Sequence, residues 1–331
     1  MYRLYGINPS PYSVKVRAIL RYRRLPFVWD TNRDAREIAR SASLPPVIPV
    51  LQFPDGMVLN DSTPLALELE RRHPEERSIV PYDPALAFVS ALLEDMADEW
   101  LTKAMFHYRW YYAPDRRFAQ IWISGDRAPG TPESARAAAM QTFNDRQVGR
   151  MAMVGCTEEN RPVIEGSYRA VLSALEAVLA DRPFLLGSRP SLADFGLFGQ
   201  LQILATDPTP ALLMRELAPN VFTWLLRLDD ASGVEGEWYS LERILSGGVR
   251  DLLHHAAATY LPFMAANAGA FAEGGAEVAV ELQGRPFRQA PFRYQAKCWD
   301  TLKHQFRRLA PQDRMRLDPV LRETRCLVLL D

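Results

Sequence analysis

The chain has 331 residues, 48% of them hydrophobic, which exceeds one ordinary domain and suffices for large buried cores. Its 39 Lys and Arg against 40 Asp and Glu leave a formal charge of -1. That balance excludes the broad cationic field needed for non-specific binding to nucleic acid or an acidic membrane, and a small neutral or anionic ligand is expected instead. Cys156, Cys298 and Cys326 are far apart, without the close pairs of metal knuckles or dithiol redox sites. They read as free thiols of a reducing compartment. The first residues run straight into a strand-like stretch and no later run is long enough to cross a bilayer, so the expected location is cytoplasmic.

Residues 2–7 read as a short strand, followed by the turn Asn8-Pro9 and a helix start with Ser10 at the cap and Pro11 in the first helical position. Val14, Ala18 and Ile19 give that helix its apolar side. Leu25 to Trp29 reads as a second strand, reached through a helix and therefore parallel to the first. Residues 33–41 suit a short basic helix. Residues 47–53 and 57–59, separated by Pro54-Asp55-Gly56, read as a hairpin with Pro49 at a strand start or in a special geometry. Asn60-Asp61-Ser62 then begins a helix that runs to about His73.

Pro74, Pro81 and Pro84 mark a linker, beyond which the pattern is helical. The stretch 85–112 is long and apolar, whereas 113–132, rich in Pro, Gly and Arg, reads as an irregular excursion. Residues 161–181 keep helical spacing through Ile164, Tyr168, Val171, Leu172, Leu175 and Val178. Ser191-Leu192-Ala193-Asp194 reads as a helix cap. Further on, 238–253 suits one or two helices and 269–284 an irregular cover. Tyr294, Trp299, Leu302 and Phe306 lie on one side of an amphipathic helix with a basic face. His254-His255 lacks the helical spacing of a metal pair, and there is no phosphate-binding glycine motif, so no metal site is expected.

Three landmarks in order, Ser10-Pro11-Tyr12-Ser13, Ile48-Pro49 and Asp61-Ser62, together with Ser191-Leu192-Ala193-Asp194-Phe195, make residues 1 to about 230 resemble the glutathione S-transferase family. The resemblance implies an α/β plus all-α protein. A thioredoxin-like glutathione-binding domain would span 1–78 and an all-helical domain 85–231. Residues 232–331 would form a C-terminal extension packed on the helical domain.

It also implies roles for residues. Ser10 would be the catalytic hydroxyl beside a helix N-terminus, where a donor and the helix dipole favour a glutathione thiolate. Tyr5 and Ser13 are its rivals. No cysteine stands at either motif position, which argues against thiol–disulfide exchange. Tyr12 would touch glutathione, and Ile48 before a cis Pro49 would pair with its cysteinyl backbone. Asp61 would hold the γ-glutamyl ammonium and Ser62 its carboxylate. Among Arg33, Arg36 and Arg40, Arg36 is taken for the glycyl carboxylate. Tyr108, Tyr111 and Tyr112 would build the pocket for a second, apolar substrate. Glutathione would be the co-substrate and a small electrophile the other partner, in a homodimer. The alternative is a non-catalytic glutathione-binding or scaffold protein of the same fold.

Overall fold

A computed structural model describes residues 1–74 and 77–330; the linker expectation falls partly on residues 75 and 76, which lie outside the described residues. The first layer is β1 (Tyr2–Tyr5), α1 (Pro11–Tyr22), β2 (Phe27–Asp30), α2 (Ala35–Ser41), β3 (Val50–Gln52), β4 (Val58–Asn60) and α3 (Ser62–Arg72). The strands order as β2-β1-β3-β4, with β1 and β2 parallel and the other pairs antiparallel, so the first layer is a thioredoxin-like domain. The parallel pair follows from the intervening helix, since only a crossover can bring two such strands side by side.

Register decides where the ends of these strands fall. Tyr5 pairs with Val50, and Val50 pairs with Asn60, so one row of the sheet joins the end of β1, the start of β3 and the end of β4. Immediately beyond that row lie the loop to Ser10, the Ile48–Pro49 pair and Asp61-Ser62. The Ile48–Pro49 peptide bond is cis.

The helical part begins with α4 (Pro84–Met96), passes through a π-helical turn at Ala97–Leu101 and continues as α5 (Thr102–Tyr111). Then follow α6 (Ala113–Arg127), α7 (Glu133–Val148), α8 (Arg161–Asp181), α9 (Leu192–Leu204), α10 (Pro208–Leu217) and α11 (Pro219–Asp229). The expected excursion over 113–132 is in fact largely helical: Pro114 sits in the first turn of α6, where a missing N–H costs nothing, and Gly130 lies beyond its end. At the start of α9 the Ser191 and Asp194 side chains and backbones satisfy each other as a capping box. Helix α9 crosses α1 so closely that a Cβ at Gly199 would stand 2.7 Å from the Pro11 carbonyl oxygen. Glycine is required there to let the two backbones meet.

The remaining elements are α12 (Leu241–Ile244), α13 (Gly248–Ala258), α14 (Tyr260–Ala272), β5 (Val278–Leu282), β6 (Arg285–Gln289), α15 (Arg293–Arg308), α16 (Pro311–Glu323) and α17 (Leu327–Leu330). The irregular cover expected over 269–284 is instead the end of α14 and a hairpin. Gln283 and Gly284 both have positive φ, 53° and 71°, the two-residue turn whose twist matches antiparallel strands. The alternation that buries Val278, Leu282 and Phe287 is too short to stand out from its glycine-rich flank. Phe287 packs against Trp100 and Phe263, and Phe306 of α15 against Phe88 of α4. A continuous buried cluster thus runs from Tyr2 to Leu330.

Candidate functional site

Ser10 is the N-cap of α1, with extended backbone and a side-chain oxygen that accepts the Ser13 amide at 3.3 Å. Because the cap uses an oxygen lone pair, the Ser10 O–H stays free to donate. The loop carrying it is pinned from the helical part. Arg109 donates to the Pro9 carbonyl at 3.0 Å while pairing with Asp207, and Asp126 accepts from the Asn8 side chain and backbone. The rival Ser13 is fully buried, and Tyr5 is buried with its hydroxyl donating to Gln52 at 3.0 Å.

Asp61 has φ of 76°, a left-handed conformation that an aspartate adopts only at some cost, and its carboxylate gives no capping bond to α3. The carboxylate is thus left off the helix amides that an aspartate at this position ordinarily caps. Ser62 is buried; its hydroxyl donates to Asp98 Oδ2 at 3.3 Å and accepts from Lys15 Nζ at 3.4 Å. Ile48 is half-buried and Pro49 buried, and Ile48 makes no backbone–backbone hydrogen bond among the described residues. Arg36 lies half-buried in the first turn of α2, close enough to Arg127 of α6 for their charges to interact.

Beneath Ser62 lies a buried ionic group that sequence reasoning missed. Lys15 is inaccessible to water and pairs with Glu94 and with Asp98, the latter at 2.6 Å. Burial opposes its charge, but the Asp98 and Glu94 carboxylates outweigh that and hold the ammonium above its ordinary range. Burial likewise pushes the carboxyls of Asp98 and Glu99 upward. The available signal was the recurrence of Glu94, Asp95, Asp98 and Glu99 within an otherwise apolar helical stretch, at spacings that share faces.

A cavity of about 230 Å³ opens beside this group, lined by Tyr12, Glu99, Thr102, Lys103, Phe106, Val154, Phe292, Tyr294 and Gln295. Tyr12 reaches across to α5, its hydroxyl 3.0 Å from the Asp98 carbonyl and 3.3 Å from Thr102 Oγ1. Lys103 is buried, donates to Gln289 at 2.5 Å and the Val154 carbonyl at 3.2 Å, and is pushed down to about 8 by desolvation. A wider groove of about 550 Å³ on α6, at Ala113, Pro114, Arg117, Phe118 and Ile121, contains none of the candidate residues.

Tyr108, Tyr111 and Tyr112 do not line the 230 Å³ cavity. Tyr108 is buried against Tyr168, while the hydroxyls of Tyr111 and Tyr112 reach Glu158 and Glu165. The reason is helical phase: Tyr108 lies about 200° around the helix from Phe106, which does face the cavity with Thr102 and Lys103. Phe292, Tyr294 and Gln295 come from the start of α15, and no motif in the sequence marked them.

Among the described residues no helix is long and apolar enough to cross a membrane. Residues 4–77 match the family model described as the glutathione S-transferase N-terminal domain, and residues 137–227 the one described as its C-terminal domain. Prostaglandin E synthase 2 of Mus musculus is 26% identical over 274 residues, 69% of each chain. Two solved structures are similar at lower identity. The beta-etherase LigF from Sphingobium sp. strain SYK-6 is 20% identical, with 69% of this chain and 94% of that one covered and a TM-score of 0.45. A glutathione S-transferase from Methylobacterium radiotolerans, in complex with glutathione sulfonate, is 22% identical, with 72% and 97% covered and a TM-score of 0.43. With both domains matched in order on a thioredoxin-like sheet and a helical bundle, the chain belongs to the glutathione S-transferase family.

Proposed function

We propose that this protein binds glutathione and activates its thiol for attack on a small apolar electrophile. The observation that carries this reading is the cross-strand row Tyr5–Val50–Asn60, which sets the Ser10 loop, Ile48–Pro49 and Asp61-Ser62 side by side. In it, the γ-glutamyl end of glutathione lies at Asp61 and Ser62, the cysteinyl backbone pairs with Ile48 beside Pro49, and Arg36 takes the glycyl carboxylate. The sulfur then meets Ser10. The free Ser10 O–H and the positive end of α1 lower the thiol pKa, which makes the nucleophile. Ser10 is buried like both rivals, so burial does not choose; the Tyr5 hydroxyl spent on Gln52 supports Ser10 over Tyr5, and the place of Ser10 at the cap, ahead of the helix that contains Ser13, supports it over Ser13. Tyr12, Phe106, Val154 and Phe292 offer the electrophile an apolar wall.

Isothermal titration with glutathione, followed by a panel of electrophiles, tests the reading. Binding with turnover supports the enzyme. Binding alone supports the non-catalytic alternative, and absence of binding overturns both.

For organisation we propose boundaries at 1–78 and 85–231, with 232–331 as an extension that depends on the helical part for its core. The continuous buried cluster supports this, since Val249, Leu252 and Leu253 share it with Val171, Leu175 and Val178. We also propose a cytoplasmic homodimer; a monomer in sedimentation at micromolar concentration overturns the dimer.

A further inference from the structure

The only hydrogen bond that Asp61 accepts through its side chain, among the described residues, comes from the other end of the chain. Tyr294, in the first turn of α15, donates its phenolic O–H to Asp61 Oδ2 at 2.5 Å across 233 positions of sequence. Tyr294 also lines the cavity beside Tyr12 and Glu99. We propose that Tyr294 is a tethered occupant of the ammonium subsite, a gate that a γ-glutamyl ligand must displace from Asp61 in order to bind.

The surroundings separate the hydroxyl, which can leave, from the backbone, which is fixed. On the N-terminal side, Asn267 clamps Phe292 with two bonds, its amide to the Phe292 carbonyl at 2.9 Å and its carbonyl to the Phe292 N–H at 2.8 Å. On the C-terminal side, Gln295 donates to the Glu99 carbonyl at 3.2 Å. Between these anchors Tyr294 is 44% exposed, so its side chain can rotate toward water without moving α15. Asp61 is held ready by its left-handed backbone and spends its carboxylate on no helix amide. A phenol presents one neutral donor, whereas an ammonium presents three charged ones, so the ligand wins the exchange when it arrives. The gate lowers affinity for ligands that need Asp61 and leaves others unaffected.

This inference rests on the glutathione reading, and the test distinguishes the two. Binding of glutathione and of its deaminated analogue, glutaryl-cysteinyl-glycine, is measured by titration calorimetry on the full chain. The proteins are wild type, Tyr294→Phe, Asp61→Asn and the double variant. Tyr294→Phe keeps the ring and removes the donor. It should tighten glutathione by about three- to tenfold, the net worth of an ordinary hydrogen bond. It should not change binding of the analogue. In the Asp61→Asn background the same substitution should have no effect on glutathione. If Tyr294→Phe leaves glutathione affinity unchanged or weakens it, Tyr294 is not a gate. Equal tightening of both ligands overturns the assignment to the ammonium subsite. If wild type and every variant fail to bind glutathione, the glutathione reading itself falls, and the gate with it.

Discussion

Lys15 Nζ lies 2.6 Å from Asp98 Oδ2, joining the first helix of the thioredoxin-like domain to the π-helical turn between α4 and α5, with both side chains withdrawn from water. Glu94 closes the group on its other side. One lysine against two carboxylates gains its attraction only as a complete set, because each charge alone has no water to fall back on.

Removing the lysine should therefore be far worse than removing the whole group. Lys15→Met should destabilise the protein by about 3–5 kcal/mol, the cost of stranding a buried charge. Combining it with Glu94→Gln and Asp98→Asn should recover most of that loss. Urea denaturation of the three proteins gives both numbers, and a Lys15→Met variant no less stable than wild type would show that the group is not closed to water.

On the proposed reading Ser10 and Ser62 should fail in different ways, since the proposal sets one at the sulfur and the other at the far end of the ligand. Ser10→Ala should keep glutathione affinity, lower thiolate absorbance at neutral pH and reduce turnover by about ten- to a thousandfold, as for loss of one charge-stabilising donor. Ser62→Ala should mainly weaken binding, by about 1–3 kcal/mol. Full activity in Ser10→Ala, with loss in Tyr5→Phe or Ser13→Ala, transfers the role to that rival.

His255 should make the protein sensitive to mild acid. It is buried on α13, and desolvation pushes its imidazole down from 6.5 to about 4. Below pH 6.5 the unfolded chain takes up a proton that the folded chain refuses, so stability is full above pH 6.5 and falls as pH drops towards 4. The loss should reach on the order of 2–3 kcal/mol. Asp194, raised by burial to about 6, works in the opposite direction between its unfolded value of 3.8 and about 6. The difference between wild type and His255→Gln therefore isolates the histidine. Denaturation midpoints measured from pH 7 to 4 should diverge least at pH 4, where wild type has lost its advantage.

The parts of the site that were legible in the sequence are those built by local rules. The cap at Ser10 could be found because a cap before Pro11 has a short-range signature, and the helix start at Ser62 from the run Asn60-Asp61-Ser62, although Asp61 makes no capping bond there. The parallel β1–β2 pair and the β3–β4 hairpin followed from a helix between two strands and a turn between two others, whereas the placing of β3 beside β1 has no local signal. What the sequence did not disclose depends on long-range packing. Lys15 looks like an ordinary polar residue of α1 until α4 is laid against it. Tyr108, Tyr111 and Tyr112 cluster in sequence with Phe106, and only the rotation of α5 against α8 sends them elsewhere. Tyr294 sits on an amphipathic helix whose destination no local pattern specifies.

The row Tyr5–Val50–Asn60 bears on how such a site endures as sequences diverge. Its positions are fixed by main-chain ladders, with neighbouring strands about 4.8 Å apart, and not by the identity of the side chains along it. Drift can exchange residue after residue in the layers above and below while three segments, remote in the chain, keep their mutual distances.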